Sequence, residues 1–179
     1  MMEDNNSHGF HAGQSGLVVR VPEAEPAVRA WRERLDPSAR AGVPAHVTVL
    51  FPFLDADRID QDVHDTLGEV FGRHPSFEVR FERCGRFPGL LYLVPDPDTP
   101  FRDLTEAVVE RWPDTPPYGG KYGDAVPHLT VAQDLDEAAV ERAEADLLSR
   151  LPVGTRVSAV DLVVHDGTRW RLRASFALR

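Results

Sequence analysis

Apolar positions along this chain switch between two periods, and the switches mark out alternating strands and helices. Residues 17–21 (LVVRV) form a β-rich run stopped by Pro22. Val28, Trp31 and Leu35 then recur at i, i+3 and i+7, the stripe of an amphipathic helix closing at Pro37. A second strand is expected over 45–53 (AHVTVLFPF), and Val63, Leu67, Val70 and Phe71 give a second helix ended near Pro75. Residues 77–87 alternate with period 2, and 90–94 (LLYLV) add another strand. Phe101, Leu104, Val108 and Trp112 place a third helix, 113–127 is a loop rich in proline and glycine, and 128–133 (HLTVAQ) is a strand. Val140, Ala143, Leu147 and Leu151 give a fourth helix. A closing hairpin, 155–165 with 169–178, is split by the turn signal Asp166-Gly167.

The order is strand–helix–HVT strand–helix–strand, then strand–helix–HLT strand–helix–strand with one strand more, the form of an internal duplication. Strands mixed with helices of this length imply an α/β or α+β sandwich with helices outside. Residues 1–15 are polar and aperiodic and are expected to be a disordered tail in which His8 and His11 are decoration.

Composition narrows the reading. The 179 residues are 42% apolar and 27% charged, enough for a core. No apolar run approaches the roughly 20 residues of a membrane helix, and the first residues lack the apolar stretch of a signal peptide. Cys84, the lone cysteine, excludes an internal disulfide and any Cys-clustered metal site. A cytoplasmic protein is therefore expected. The net charge of −9, from 29 acidic against 20 basic residues, is opposite to that of a general nucleic-acid coat, so a polynucleotide would need a local site. Lys121 is the single lysine; the other basic residues are arginines.

The informative feature is the pair His46-Val47-Thr48 and His128-Leu129-Thr130. In a strand, residues i and i+2 share a face, so each motif presents an imidazole and a hydroxyl on one side and aliphatic packing on the other. A pseudo-two-fold arrangement would bring the two polar walls together. Histidine titrates near neutral pH, so one ring can take a proton while the other gives one. Threonine hydroxyls between them can donate to phosphoryl oxygens. That set suits phosphodiester cleavage or transfer. A single His-x-Thr in a strand is more often a half-buried structural pair; two copies, each introduced by proline (Pro44, Pro127), favour chemistry.

These motifs, the element order and the segment YGGKYGDAVPHLT at 118–130 resemble the 2H phosphoesterase superfamily, in particular bacterial 2′-5′ RNA ligase-like and cyclic phosphodiesterase-like members. The resemblance spans about residues 16–179. It implies an α+β (mixed α/β), bilobal, pseudo-two-fold fold, with two antiparallel-rich sheets around a central cleft and one domain of two lobes over 16–179. It also implies His46 and His128 as the acid/base pair, with His128 the base for a 2′,3′-cyclic phosphate, and Thr48 and Thr130 as phosphate donors. No cofactor and no metal are expected. The implied substrates are 2′,3′-cyclic phosphates of nucleotides or RNA termini, ADP-ribose 1″,2″-cyclic phosphate and 2′-5′ linked oligonucleotides, with ligation as the reverse reaction, in a monomer without a membrane partner.

Other residues carry bland and sharp readings side by side. Phe51 and Phe53 are core by default and base-stacking as the alternative. Phe87, Lys121 and Tyr122 are the possible substrate rim, the last two in a glycine-containing loop that could equally be a plain connector. His64 and His74 read as solvated, His165 as a turn residue and Cys84 as core. Two rival functions stay open: a nucleotide or RNA-end binding module, which would need no acid/base pair, and a metal-dependent hydrolase using His46 or His128 with Asp124 or Asp134, whose separate strands fit metal spacings poorly.

Overall fold

The computed structural model describes residues 9–121, 123 and 125–179. Among these residues eight strands are found: β1 Ser15–Arg20, β2 His46–Leu50, β3 Phe77–Phe87, β4 Leu90–Asp96, β5 Leu129–Gln133, β6 Val153–Val157, β7 Ala159–His165 and β8 Trp170–Ala177. Between them lie α1 Glu25–Leu35, the short α2 Pro37–Arg40, α3 Gln61–Gly72, α4 Thr99–Arg111 and α5 Glu137–Leu148. The strands form two antiparallel sheets, ordered β2-β1-β7-β8 and β5-β4-β3-β6. The expected α+β class with two antiparallel sheets is what the chain adopts. No helix among the described residues is long and apolar enough to cross a membrane.

Helix ends follow local chemistry. Asp60 accepts from the Val63 amide to start α3, and Asp136 from the Ala139 amide to start α5. Trp112 and Leu151, expected on the apolar stripes of the third and fourth helices, fall just outside α4 and α5. Each precedes a proline, whose ring disfavours helical geometry in the residue before it. Trp112 still packs, edge to face, on Phe53 at 5.2 Å, and Phe53 is core.

Two expectations are corrected, and the topology adds a third finding. The 155–165 strand is two: Ser158 separates β6, which pairs with β3, from β7, which pairs with β1 and β8, so the chain changes sheets there. The two sheets therefore do not coincide with the two sequence halves, since β7 and β8 join β1 and β2. The tail expected over 1–15 is already packed near its end: Phe10 meets Trp170 at 5.2 Å, Gly13 N–H donates to the His165 carbonyl, and Ser15 is buried. His8 lies outside the described residues.

Helices cross between the sheets. α1 packs against β5, and α4 against β2, where Thr105 Oγ1 donates to the Val49 carbonyl at 2.7 Å. Each HxT strand is thus backed by a helix that enters from the other sheet's side, and β2 and β5 meet along the middle of the molecule. Most of the buried apolar side chains join one continuous core between sheets and helices.

Candidate active site

β2 and β5 are the edge strands of their sheets, and they repeat one another in detail. Val47 and Leu129 are fully buried, while His46, Thr48, His128 and Thr130 are half-buried on the opposite face. Each strand then carries a bulge at the same place. On β2, Leu17 pairs with Leu50 and Val18 with Thr48, leaving Val49 extra; on β5, Leu91 pairs with Ala132 and Tyr92 with Thr130, leaving Val131 extra. The extra residue reverses the alternation. Leu50 and Ala132 turn into the core, and Phe51 and Gln133 come to the face that holds the histidines.

Both imidazoles are held in the same way. His46 Nδ1 lies 2.8 Å from the Pro44 carbonyl, and His128 Nδ1 2.7 Å from the Val126 carbonyl, each two residues back. A carbonyl only accepts, so Nδ1 carries the hydrogen in both rings and Nε2 is the position left to exchange a proton. Burial pushes both rings below the usual histidine range. His46 is pushed down to about 4 by burial, then by the Arg32 guanidinium, with His128 adding in the same direction and the Pro44 carbonyl and Asp36 opposing.

All four motif residues line one cavity of about 800 Å³, a volume in the ordinary range for small-molecule sites. One wall is Phe87, stacked on Tyr92 at 4.6 Å, with both rings 5.5 Å from His128. Tyr92 lies across Gly85 of β3: a Cβ there would stand 2.3 Å from Tyr92 Cζ. The other wall is Phe51 and Phe10 against Trp170. The described lining residues include no Lys or Arg, and Asp36, their one carboxylate, is paired with buried Arg32.

Phe87 is thus at the cavity, as expected of a rim residue. Phe51 lines the cavity, and Phe53 is in the core. Lys121 is exposed and does not reach the wall; Tyr118 of the same loop does, its amide donating to the Phe51 carbonyl. Tyr122 and Asp124 lie outside the described residues. Tyr92, Phe10, Trp170 and Gln133 were not foreseen: strand pairing brings in Tyr92 and Trp170, a bulge Gln133, and the packing of the segment before β1 on Trp170 brings in Phe10, none of which a local pattern shows. Among the described residues no group of three His, Cys, Asp or Glu side chains gathers.

The model of the 2′-5′ RNA ligase superfamily matches residues 21–169, which includes both motifs. The chain belongs to that superfamily. The membership agrees with the 2H phosphoesterase resemblance read from the motifs. The LigT protein of E. coli has the same fold, with a TM-score of 0.60 at 18% identity, covering 94% of this chain and 99% of LigT. LigT complexed with 3′-AMP aligns at 0.59 and 17%, covering 93% and 98%. A protein of Thermus thermophilus aligns at 0.61 and 20%, covering 93% and 98%. No curated protein matches significantly in sequence. Membership in this superfamily supports a phosphodiesterase or RNA ligase-like enzyme.

Proposed function

We propose that this superfamily member is a phosphodiesterase needing no metal, acting on 2′,3′-cyclic phosphates or 2′-5′ linked nucleotides and RNA ends through His46 and His128. The observation that carries the reading is the pair of imidazoles, each clamped through Nδ1, with Thr48 and Thr130 in one cavity. In cyclic-phosphate hydrolysis, a water oxygen bonds to phosphorus as one imidazole takes its proton. The bond from phosphorus to one ribose oxygen breaks, and the other imidazole protonates that oxygen. Thr48 and Thr130 donate to the non-bridging oxygens, where negative charge accumulates. With a 5′-hydroxyl in place of water the same step joins two ends: its oxygen bonds to phosphorus as one imidazole takes its proton, and the bond to one ribose oxygen breaks as the other imidazole protonates that oxygen. That LigT was solved with 3′-AMP supports a nucleotide in this cleft.

The test is a panel of 2′,3′-cyclic nucleotides, ADP-ribose cyclic phosphate and 2′-5′ dinucleotides, assayed in EDTA. Replacing either histidine with Ala should lower kcat by about 10²–10⁴-fold, and the double variant should cost less than the product of the two. Tight nucleotide binding without turnover would favour a binding module, and activity lost in EDTA a metal enzyme. The Phe87–Tyr92 wall stacks on the base, so Phe87→Ala should raise KM about 5- to 150-fold, the loss of one base-stacking contact, and leave kcat nearly intact. Tyr122 keeps the same proposed rim role.

A further inference from the structure

The two bulges deliver unlike groups to the cavity. On β2 the delivered residue is Phe51, which packs on Phe10 and Trp170; on β5 it is Gln133. Gln133 is half-buried and is the one carboxamide among the described lining residues, and no hydrogen bond to a described group engages it. Register sets it beside the Phe87–Tyr92 wall. Gln133 pairs with Leu90, and Leu90 with Phe87, so the three form one row on one face of the sheet; Thr130 and Tyr92 begin the next row. All three residues of the first row line the cavity. Beyond Gln133, Leu135 N–H donates to the Gly89 carbonyl at 3.4 Å, which ties the end of β5 to the turn after Phe87. Backbone strain falls at the same two places. Among the described residues, Tyr118 (φ 53°) and Asp134 (φ 57°) are the non-glycine residues with left-handed backbone. Tyr118 N–H donates to the Phe51 carbonyl, and Asp134 follows Gln133 directly. Such backbone persists where its surroundings fix it, and it gathers at ligand sites.

We propose that Gln133 determines which base the site accepts, and that the base is adenine. With adenine stacked on the Phe87–Tyr92 wall, the carboxamide oxygen accepts from the exocyclic N6–H and the carboxamide N–H donates to N7. A carboxamide carries an acceptor and a donor side by side, the complement of that edge. On the same edge guanine offers two acceptors, cytosine a donor alone and uracil an acceptor alone, so each leaves part of the amide unmatched. An amide unmatched in a closed cavity loses its water without a replacement, and that loss is what rejects the wrong base. The inference rests on the nucleotide reading above and goes beyond it in naming the base and the residue that reads it.

The experiment measures kcat/KM of the full chain and of Gln133→Leu on the 2′,3′-cyclic phosphates of adenosine, guanosine, purine riboside (no exocyclic amine) and 7-deazaadenosine (no N7). The wild type should favour adenosine over guanosine by about 5- to 150-fold, the worth of one bidentate base contact. Each single-atom deletion should give up much of that preference, mostly through KM. Gln133→Leu should treat all four alike, at the level the wild type shows for its poorer substrates. A role in the fold, or donation to the phosphate, would instead lower every substrate by one factor and keep their order, and that result overturns the inference. Should Gln133→Leu not fold, the wild type alone decides: indifference to both deletions overturns it. Binding of 3′-AMP and 3′-GMP to both proteins separates this inference from the reading beneath it. A preference for 3′-AMP that Gln133→Leu abolishes, in a protein that turns over none of the cyclic phosphates, sinks the phosphodiesterase reading and upholds Gln133 as the base reader. Binding and turnover blind to the base, in an enzyme whose turnover needs both histidines, sink this inference alone.

Discussion

A histidine kept neutral by its surroundings costs stability wherever the unfolded chain would bind the proton. His46 falls from an ordinary 6.5 to about 4 on folding, chiefly by burial and then by Arg32. Between those values the unfolded chain holds more protons, so stability rises with pH there: it is full above about 6.5, is lost as pH falls, and levels off below about 4. His128 adds in the same sense. Asp166, whose carboxylate is held low by the Arg169 and Thr168 amides and the Arg171 guanidinium, has a lowered pKa and loses its contribution only below the usual carboxylate range, outside this window. His46→Gln should therefore melt higher than wild type at pH 5 and about equally at pH 8. Equal pH slopes for the two proteins across pH 5–7 would refute the account. At this scale the sequence was readable where chemistry is local. Strand alternation put His46 and Thr48 on one face, with no tertiary knowledge. Arg32 was not readable, because the end of α1 reaches Val43 only through the turn that packs around it.

Elements were legible where a period ran uninterrupted and illegible where the chain changes partners. α3 and the β7–β8 hairpin follow from apolar spacing and from the Asp166-Gly167 turn. The change from β6 to β7 does not: no glycine or proline marks it, and the only sign is that the apolar positions change phase around Ser158, from Val157 and Ala159 to Val160 and Leu162, as a bulge within one strand would make them do as well. The bulges at Val49 and Val131 were hidden for a similar reason: a branched aliphatic residue looks the same in a regular strand and in a bulge. Pairing also explains Gly85 on β3. It faces Tyr92 of β4, and the aromatic ring occupies the space a side chain would need. Gly85→Ala should displace Tyr92 from Phe87 and His128 and cost about 1–3 kcal/mol, as overpacking does. Denaturant unfolding of Gly85→Ala, Tyr92→Val and the double variant checks this: the double should be less destabilised than the sum of the singles. Strict additivity would mean that the two residues do not compete for one space.

The whole molecule sets what charge the site can receive. The protein carries −9, and the described residues lining the cavity include neither Lys nor Arg. A reacting phosphate there meets histidine, threonine and aromatic walls, and its single negative charge is the most this lining can match. A longer RNA would bring further phosphates to a protein of net charge −9. Each backbone phosphate neutralised by a cation on a single strand adds about −0.7 to the slope of log affinity against log salt, and a protein making about 6–10 such contacts on duplex DNA loses about 10³–10⁵ in affinity between about 50 and 200 mM salt. For this protein the slope of log kcat/KM on a 2′,3′-cyclic mononucleotide should be no steeper than about −1. An oligonucleotide ending in the same cyclic phosphate should show nearly the same slope and little gain in kcat/KM, because the described cavity lining offers its extra phosphates no cation. Paired salt titrations of the two substrates decide it. A steeper slope for the oligonucleotide, with a large gain at low salt, would place an arginine track beside the cavity and make RNA ends rather than small nucleotides the better substrate.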